Sequence, residues 1–401
     1  IGGLDMTSYM ELEKALDKEK LVNLVMDMVS IESHPRVPTH EENISLYIHN
    51  FLKKNDIDST LQKVAEHRYN VLATIEGENR DKNLLFTGHI DTVEDYGYPQ
   101  LFKPYIKDNK IFGRGTSDMK GPVGSMIMAA ILLKKLGIKP KYNLQLAFVV
   151  DEEFKSIGTE GLIKSGIKAD GAILGEPTKM NVCIGHKGLE WLNIEVYGKG
   201  THGGSTEEGI NAIVKAAKLI TRIDEELLPK IKSKVDPILG SAIMNFGVIS
   251  GGYQPSTVPD KCTIKIDRRW ISGETIEGIY AEYQSIIDEL AQEDKNFKAK
   301  LFRNDQNMNE MEHGPVVLDK EHPLVKGLIK YGKEVTGKTP EIKTFTGWSD
   351  AALLSNFGEI PTVIFAPGDI STAHSNKEYV DIDQLADAAI IYALMGINFG
   401  D

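Results

Sequence analysis

The chain has 401 residues, which is too long for one ordinary hydrophobic core and therefore predicts two domains. Its 46 lysines and arginines against 58 aspartates and glutamates give a formal net charge of -12. This excess of acid argues against a nucleic-acid binder, because affinity for phosphates comes from clustered cations. The longest apolar run, Met126 to Leu133, is far shorter than the roughly 20 residues that cross a bilayer, so we expect no membrane span.

The segment before Met6 lacks the basic and apolar regions of a secretory signal. Cys183 and Cys262 are the two cysteines of the sequence, and this low number agrees with a reducing compartment. We therefore expect a cytoplasmic protein with two ordinary, partly buried thiols.

Helical and strand-like patterns alternate from residue 12 to about 180. Apolar residues recur on one face of two predicted helices, at Leu21, Leu24, Val25 and Met28 and again at Ile44, Tyr47, Ile48, Phe51 and Leu52. After them, the apolar runs "NLLFTG", "NLQLAFVV" and "GAILGE" have the length of strands. The alternation predicts an α/β sheet covered by helices.

A different pattern of predicted strands and helices begins near Lys187. The stretch "LEWLNIEVYG" alternates apolar and polar residues as a half-buried strand does. A helix is predicted from about Gly209, strands near 243–249 and 260–270, a second helix around Ile276 to Ile287, and a last strand at "FKAKLF". The order strand, helix, strand, strand, helix, strand is that of a ferredoxin-like βαββαβ sandwich.

After about residue 306, helices and strands alternate again in "HPLVKGLIKYGKEVTG", "IPTVIFAPG" and a final amphipathic helix. The outer segments are therefore expected to form one domain that the middle unit interrupts. The predicted boundaries are 6–186 and 307–401 for the two outer segments and 187–306 for the inserted domain.

Histidine and acidic side chains stand at the ends of the predicted strands. They are His89 and Asp91 in "LFTGHIDTV", Glu152 and Glu153 in "VVDEEF", and Glu176 in "LGEPT". Ligands of open α/β sheets gather at the carboxyl ends of strands, so these side chains are expected to lie together. Alone, His89 would more often be a structural residue, and "DEEF" would more often be a solvated acidic turn.

Two further motifs supply Asp118 in the glycine-rich turn "GRGTSDMKG" and His374 in "STAHSNKE". Imidazole nitrogen and carboxylate oxygen together suit Zn²⁺, Co²⁺ or Mn²⁺. Carboxylates bridge two ions and outnumber the histidines, so the set favours a two-metal centre with ions roughly 3.5 to 4 Å apart. Asp91 is placed to accept a hydrogen bond from His89 and fix its tautomer.

The motifs "GHIDTV", "GRGTSDMKG", "DEE", "GEPT" and "AHSNKE", in this order, resemble those of the M20 family of metallopeptidases and amidohydrolases, in particular its acetylornithine deacetylase and succinyl-diaminopimelate desuccinylase type. The resemblance covers nearly the whole chain. It implies an α/β fold in which a mixed-sheet catalytic domain carries an inserted ferredoxin-like domain that serves as lid and dimerisation domain. It also implies two divalent metal ions per subunit, for which we expect Zn²⁺, with Co²⁺ or Mn²⁺ as the alternatives.

The resemblance also implies a role for each site residue. The ions would be held by Asp118 as the bridge, by His89 and Glu176 on one side, and by Glu153 and His374 on the other. Glu152 would act as general base and then as acid, taking a proton from the attacking water and giving it to the leaving amine. The chemistry agrees, because two adjacent glutamates cannot both serve one ion without strain.

In the middle domain, the resemblance implies that His202, in "GKGTHGGSTEEG", is supplied to the neighbouring subunit and stabilises the oxyanion, which requires a homodimer. The alternative is a plain turn and helix cap. The resemblance also implies that Arg269, in "IKIDRRW", grips a substrate carboxylate, for which guanidinium is well suited. A surface ion pair with Asp267 is the alternative there.

Ser256 and Gly347 lie in loops, "GGYQPSTVPD" and "TGWSDA", that resemble substrate-binding loops of the family. Ser256 stands where asparagine is frequent, and Trp348 stands where a smaller residue is frequent. These departures leave the metal chemistry intact and leave the identity of the substrate open.

The leading hypothesis is a two-metal amidase that removes the acyl group from an N-acyl amino acid or a related amine. The nearest rival is an M20 dipeptidase or exopeptidase that uses the same machinery on short peptides. A non-catalytic metal- or ligand-binding dimer is disfavoured because Glu152 and all five ligands occur together. A nucleotide enzyme is not expected, since the sequence lacks a "GxxxxGK[ST]" phosphate loop.

Overall fold

The computed structural model describes residues 6–308 and 310–400, so the segment before Met6 lies outside the described residues. The chain divides into two compact units. The first contains the described residues up to Gly185, Val317–Phe345 and the described residues from Ser349 onward. The second contains His186–Val316 and Thr346–Trp348. Among the described helices, none combines the length and the apolar character needed to cross a bilayer.

The helices are α1 (Met6–Ala15), α2 (Lys18–Ser30), α3 (Glu42–Lys54), α4 (Lys120–Leu136), α5 (Ile157–Lys164), α6 (Ala212–Arg222), α7 (Leu228–Ser233), α8 (Ile276–Glu293), α9 (Pro323–Thr336), α10 (Ala351–Asn356) and α11 (Ile382–Asn398). The strands are β1 (Ser59–Ala65), β2 (Arg68–Ile75), β3 (Asn79–His89), β4 (Tyr105–Lys107), β5 (Lys110–Phe112), β6 (Tyr142–Val149), β7 (Gly171–Leu174), β8 (Val182–Cys183), β9 (Gly185–His186), β10 (Gly188–Tyr197), β11 (Thr201–His202), β12 (Val235–Asp236), β13 (Gly240–Ser241), β14 (Ile243–Gly251), β15 (Thr257–Val258), β16 (Lys261–Trp270), β17 (Lys298–Arg303), β18 (Val316–Val317), β19 (Ile342–Lys343), β20 (Thr362–Ile364) and β21 (Tyr379–Asp381).

The first unit is built on an eight-stranded sheet with the order β1-β2-β6-β3-β7-β20-β8-β19. Its centre is parallel, because β3 pairs with β6 and β7 in parallel and β7 pairs with β20 in parallel. Towards one edge, β1, β2 and β6 are antiparallel. The predicted α/β class with a mixed sheet is confirmed.

Both faces of this sheet are covered, as the alternation of side chains along β3 illustrates. Leu84 and Phe86 belong to a large buried cluster that also contains residues of α2, α4 and α11. Leu85 points to the opposite face, where it clusters with Leu162 of α5 and Leu354 of α10. Helix α4 ends where Gly137 adopts a left-handed conformation with a φ of 66°, a common helix stop.

The second unit contains β10, α6, β14, β16, α8 and β17 in chain order, which is the predicted βαββαβ order. The four strands form an antiparallel sheet with the order β14-β16-β10-β17, and its apolar residues form a separate buried cluster with those of the helices. Helix α6 begins at Ala212, later than predicted, because the side chain of Asn211 caps it by accepting from the main-chain nitrogen of Val214. The role of this unit as a lid and dimerisation domain stays a prediction.

Candidate metal centre

Three neighbouring strands of the large sheet bring predicted site residues to one edge. Strand β3 ends at His89, β6 is followed by Glu152 and Glu153, and β7 is followed by Glu176. Because β3 pairs in parallel with both other strands, the three carboxyl ends lie side by side. His89 and Glu176 are almost fully buried there.

Asp118 and His374 reach the same place from two turns. Asp118 precedes α4, and Gly88, which has no side chain, lets Met119 pack directly on β3 beside His89. Oδ1 of Asp118 is 3.0 Å from Nε2 of His89, and Oδ2 is 3.2 Å from Nε2 of His374. The Asp118 carboxylate therefore lies between the two histidines and presents one oxygen to each.

Two more carboxylates extend this arrangement. Oε1 of Glu153 is 3.0 Å from Nε2 of His374, and Oε1 of Glu176 is 3.6 Å from Nε2 of His89. The donor atoms thus fall into two sets that share Asp118, one around each histidine. The structure brings together all five side chains that were predicted to bind metal.

The donor set fits divalent cations. Imidazole nitrogen and carboxylate oxygen are the ligands that Zn²⁺ and its first-row neighbours accept. Oε1 of Glu176 is buried and has no hydrogen-bond partner among the residues that the structure describes. A buried acceptor of this kind needs a partner, and a cation would satisfy it and offset the repulsion among the neighbouring carboxylates.

Glu152 lies beside the first of the two sets. Its Oε2 is 4.0 Å from Nε2 of His89, and ligand atoms of His89, Glu152 and Glu176 lie within 4.8 Å of one another. Burial raises the pKa of Glu152 well above its ordinary value, and the negative charge of Glu176 adds to the effect. A carboxyl group with a raised pKa is suited to take up and release a proton near neutral pH.

The two histidines are strongly basic in this environment. Burial by itself would lower the pKa of His374, but its hydrogen bonds to Asp118 and Glu153 outweigh this and raise the pKa to about 11. In His89, too, burial is outweighed by hydrogen bonds to Asp118 and Asp91, and the pKa rises well above its ordinary value. A cation that binds here must therefore displace protons, which couples metal affinity to pH.

The sequence profile of the peptidase family M20/M25/M40 matches residues 85–397. This chain belongs to that family. The predicted family is therefore confirmed, and so is the predicted reaction class: the M20 chain is a hydrolase that acts on amide bonds.

Curated relatives of the M20 chain span most of its length. The probable succinyl-diaminopimelate desuccinylase of Staphylococcus epidermidis is 27% identical over a gapped alignment of 413 positions, which covers 94% of this chain and 97% of the relative. The acetylornithine deacetylase of Myxococcus xanthus is 27% identical over 346 residues, which cover 84% of this chain and 86% of the relative.

Solved structures share the M20 fold at lower identity. A tripeptidase from Staphylococcus aureus superposes with a TM-score of 0.79 at 22% identity, covering 95% of this chain and 98% of that one. Human carnosine dipeptidase 1 gives a TM-score of 0.79 at 14% identity, covering 98% of both chains. The likeness to these peptidases is one of fold.

Both the main-chain oxygen and the carboxylate of Asp91 face Nδ1 of His89, and the main-chain oxygen is the nearer of the two. The main-chain oxygen of Asp91 is 3.1 Å from Nδ1 of His89, whereas Oδ1 is 3.5 Å away. The carboxylate also accepts hydrogen bonds from the main-chain nitrogens of Glu152 at 3.1 Å and Glu153 at 3.0 Å. Asp91 therefore orients the ring and also holds the turn that carries the two glutamates.

Three features near this site were missed by the sequence analysis. Asp350, in the "TGWSDA" loop, is buried, accepts a hydrogen bond from Thr159 at 2.5 Å, and has a pKa that burial raises to about 6. Asp151, directly before Glu152, has a positive φ of 68° and forms an ion pair with Arg68. The third is a buried ion pair between Arg114 and Glu378. Asp350, Asp151, Arg114 and Glu378 lie within the motifs quoted above, whereas Arg68 lies in none of them.

The remaining predicted site residues lie in the second unit. His202 is exposed in β11, and its Nδ1 accepts a hydrogen bond from the main-chain nitrogen of Gly204 at 3.1 Å. Arg269 forms the alternative ion pair, with Nε 2.8 Å from Oδ1 of Asp267 and a terminal nitrogen 3.0 Å from Oδ2. Ser256 and Gly347 belong to the same unit. Their catalytic and substrate-binding roles stay predictions.

Proposed function

We propose that this M20 hydrolase is a two-metal deacylase that cleaves the amide bond of an N-acyl amino acid or a related amine. The observation that carries the proposal is the Asp118 carboxylate, whose two oxygens lie 3.0 and 3.2 Å from the two histidines. The names of the curated relatives, a desuccinylase and a deacetylase, support the same substrate class.

His89 and Glu176 would hold one ion, Glu153 and His374 the other, and Asp118 both. When bound, such ions activate water and polarise the carbonyl of the scissile amide, and Zn²⁺ is our first choice, with Co²⁺ or Mn²⁺ as alternatives. Glu152 would accept the proton of the attacking water and pass it to the leaving nitrogen. Arg269 would exchange its ion pair with Asp267 for a carboxylate of the substrate.

The nearest alternative is a dipeptidase or exopeptidase that uses the same residues. The two differ only in the group on the acyl side of the amide bond, which is a simple acid in one case and an amino acid in the other. Several solved structures with this fold are peptidases, which is why peptides belong in any substrate screen.

Removal of metal tests the function directly. We expect that dialysis against a chelator abolishes hydrolysis and that Zn²⁺, Co²⁺ or Mn²⁺ restores it, because the donor atoms then regain their ions. Turnover should be measured on N-acetyl, N-succinyl and N-formyl amino acids and on simple dipeptides. Preference for the acylated amino acids supports the deacylase, and preference for dipeptides supports the alternative. Absence of turnover with every substrate and metal would contradict both.

The second unit also has the features of a subunit interface. Strand β14 lies at the edge of its sheet and exposes Ile243, Val248 and Ile249. Helix α6 exposes Ile213 and Val214. An exposed apolar edge strand invites pairing with another chain. We propose a homodimer formed through this unit, in which His202 acts in the active site of the partner subunit.

Mixed dimers test the sharing of active sites. The variants Glu152→Gln and His202→Ala should each be nearly inactive alone, because each lacks one group of the shared site. After the two are unfolded and refolded together, half of the dimers are mixed and contain one complete site. We therefore expect about one quarter of wild-type turnover to return. A mixture as inactive as its components, from a chain that sediments as a dimer, would contradict shared sites.

We also propose a cytoplasmic location, because Cys183 and Cys262 are both free and buried.

A further inference from the structure

A buried ion pair stands next to the predicted ligands without belonging to them. Arg114 and Glu378 have side chains that are 1% and 0% exposed, and a terminal nitrogen of Arg114 lies 2.6 Å from Oε2 of Glu378. Removing two charges from water is costly, and their attraction offsets that cost only when further hydrogen bonds satisfy both groups. The partners of these further hydrogen bonds therefore indicate what the pair does.

The second oxygen of Glu378 holds the turn that carries Asp118. Oε1 accepts hydrogen bonds from the main-chain nitrogens of Gly115 at 2.9 Å, Ser117 at 3.0 Å and Asp118 at 3.2 Å. One carboxylate oxygen thus fixes three main-chain groups of a single turn. The last of these belongs to the residue that lies between the two histidines.

Arg114 connects the same turn to the segments that follow the two histidines. Its Nε donates to the main-chain oxygen of Glu94 at 3.2 Å, and a terminal nitrogen donates to the main-chain oxygen of Ser375 at 3.2 Å. Ser375 directly follows His374, and Glu94 lies in the segment after His89. The planar guanidinium reaches these acceptors and Glu378 at once, which a lysine ammonium on a flexible stem does less well.

We propose that Arg114 and Glu378 are positioning residues for the metal centre, which fix Asp118 relative to His374 and so set the affinity for the ions. The proposal rests on the two-metal function proposed above. The pair acts through main-chain groups of the ligand-bearing segments, and each predicted ligand keeps its own side chain when the pair is changed. Residues that hydrogen-bond to metal ligands and orient them without contacting the ion typically contribute about 10- to 100-fold to metal affinity.

The competing explanation is that the pair only stabilises the fold. A second ion pair with a buried carboxylate provides the control. Glu190 in the second unit is 0% exposed and lies 2.7 Å from Nε of Arg303, whose side chain is 33% exposed. Glu190 also accepts from Tyr280 at 3.0 Å and from Asn307 at 2.9 Å. None of its partners is a predicted metal ligand. Glu190→Gln therefore measures what happens to stability and metal affinity when the ion pair of a buried carboxylate is weakened away from the metal centre.

The test is a titration of the metal-free protein with Co²⁺. Binding is measured by calorimetry and by the visible absorption of the bound ion. We expect wild type and Glu190→Gln to bind two ions with the same Kd. Glu378→Gln and Arg114→Lys should bind about 10- to 100-fold more weakly and with altered absorption bands, because the ligand geometry has changed. Arg114→Lys keeps the positive charge and serves as the second variant if Glu378→Gln does not fold.

Two results would overturn the inference, and they are distinguishable. If Glu378→Gln and Arg114→Lys lower the melting temperature as Glu190→Gln does but bind Co²⁺ with wild-type Kd and absorption, the pair is structural only. If the wild type itself binds no Co²⁺, the proposed two-metal function fails, and the positioning role fails with it.

Discussion

The variant Glu152→Gln is expected to keep both ions and to lose roughly 10²- to 10⁴-fold in kcat, the usual contribution of a general base. Glutamine matches glutamate in shape but cannot accept the proton of the attacking water. His89 hydrogen-bonds to Asp118, and His374 hydrogen-bonds to Glu153. Oε2 of Glu152, in contrast, lies 4.0 Å from Nε2 of His89. The change should therefore affect proton transfer far more than metal binding.

The measurement combines kcat on the preferred substrate with the metal content of the purified variant. Glu160→Gln on α5 is a suitable control, because this residue pairs with Lys164 and lies outside the metal centre. We expect that control to match wild type in both measurements. Wild-type turnover in Glu152→Gln would reject the role as base, and loss of an ion would show that Glu152 is a ligand instead.

The variant Asp118→Ala is expected to lose tight binding of both ions and all measurable turnover. Among the described residues, Asp118 has the only carboxylate that places one oxygen within 3.2 Å of His89 and the other within 3.2 Å of His374. Removing a shared ligand should weaken binding by more than the roughly 10- to 100-fold typical of residues that merely orient ligands. The measurement is the number of ions per chain after gel filtration, with activity assayed in parallel.

Single-ligand variants supply the comparison for Asp118→Ala. Glu176→Gln should weaken the ion on the His89 side, and Glu153→Gln should weaken the ion on the His374 side, so that each variant retains about one ion per chain. Two ions retained at wild-type affinity in Asp118→Ala would contradict its role as a bridge. One ion retained there would show that Asp118 serves a single site.

Some of the metal centre follows from general rules for sheets. Strands β3, β6 and β7 could be recognised from apolar runs, and parallel strands bring their carboxyl ends together, so the proximity of His89, Glu152 and Glu176 was predictable. Asp118 and His374 lie in turns, and no periodicity places a turn residue in space. Their inclusion depended on the resemblance of whole motifs.

Other contacts had no sequence signal that physical reasoning could use. Glu378 accepts from the main chain of Gly115, Ser117 and Asp118, and main-chain donors are the same whatever the residue type. For the same reason, the hydrogen bonds that the Asp91 carboxylate accepts from main-chain nitrogens were not foreseen. Side-chain to main-chain hydrogen bonds across long stretches of sequence become visible only once the fold is known.

The order of strands in the large sheet bears on how the polypeptide matures. Strand β20, encoded after the whole second unit, lies between β7 and β8, so a nascent chain exposes the bare edge of β7 until residues 362–364 leave the ribosome. His374 emerges later still. Any ion held on the His374 side is therefore acquired only after both the second unit and residue 374 have been synthesised.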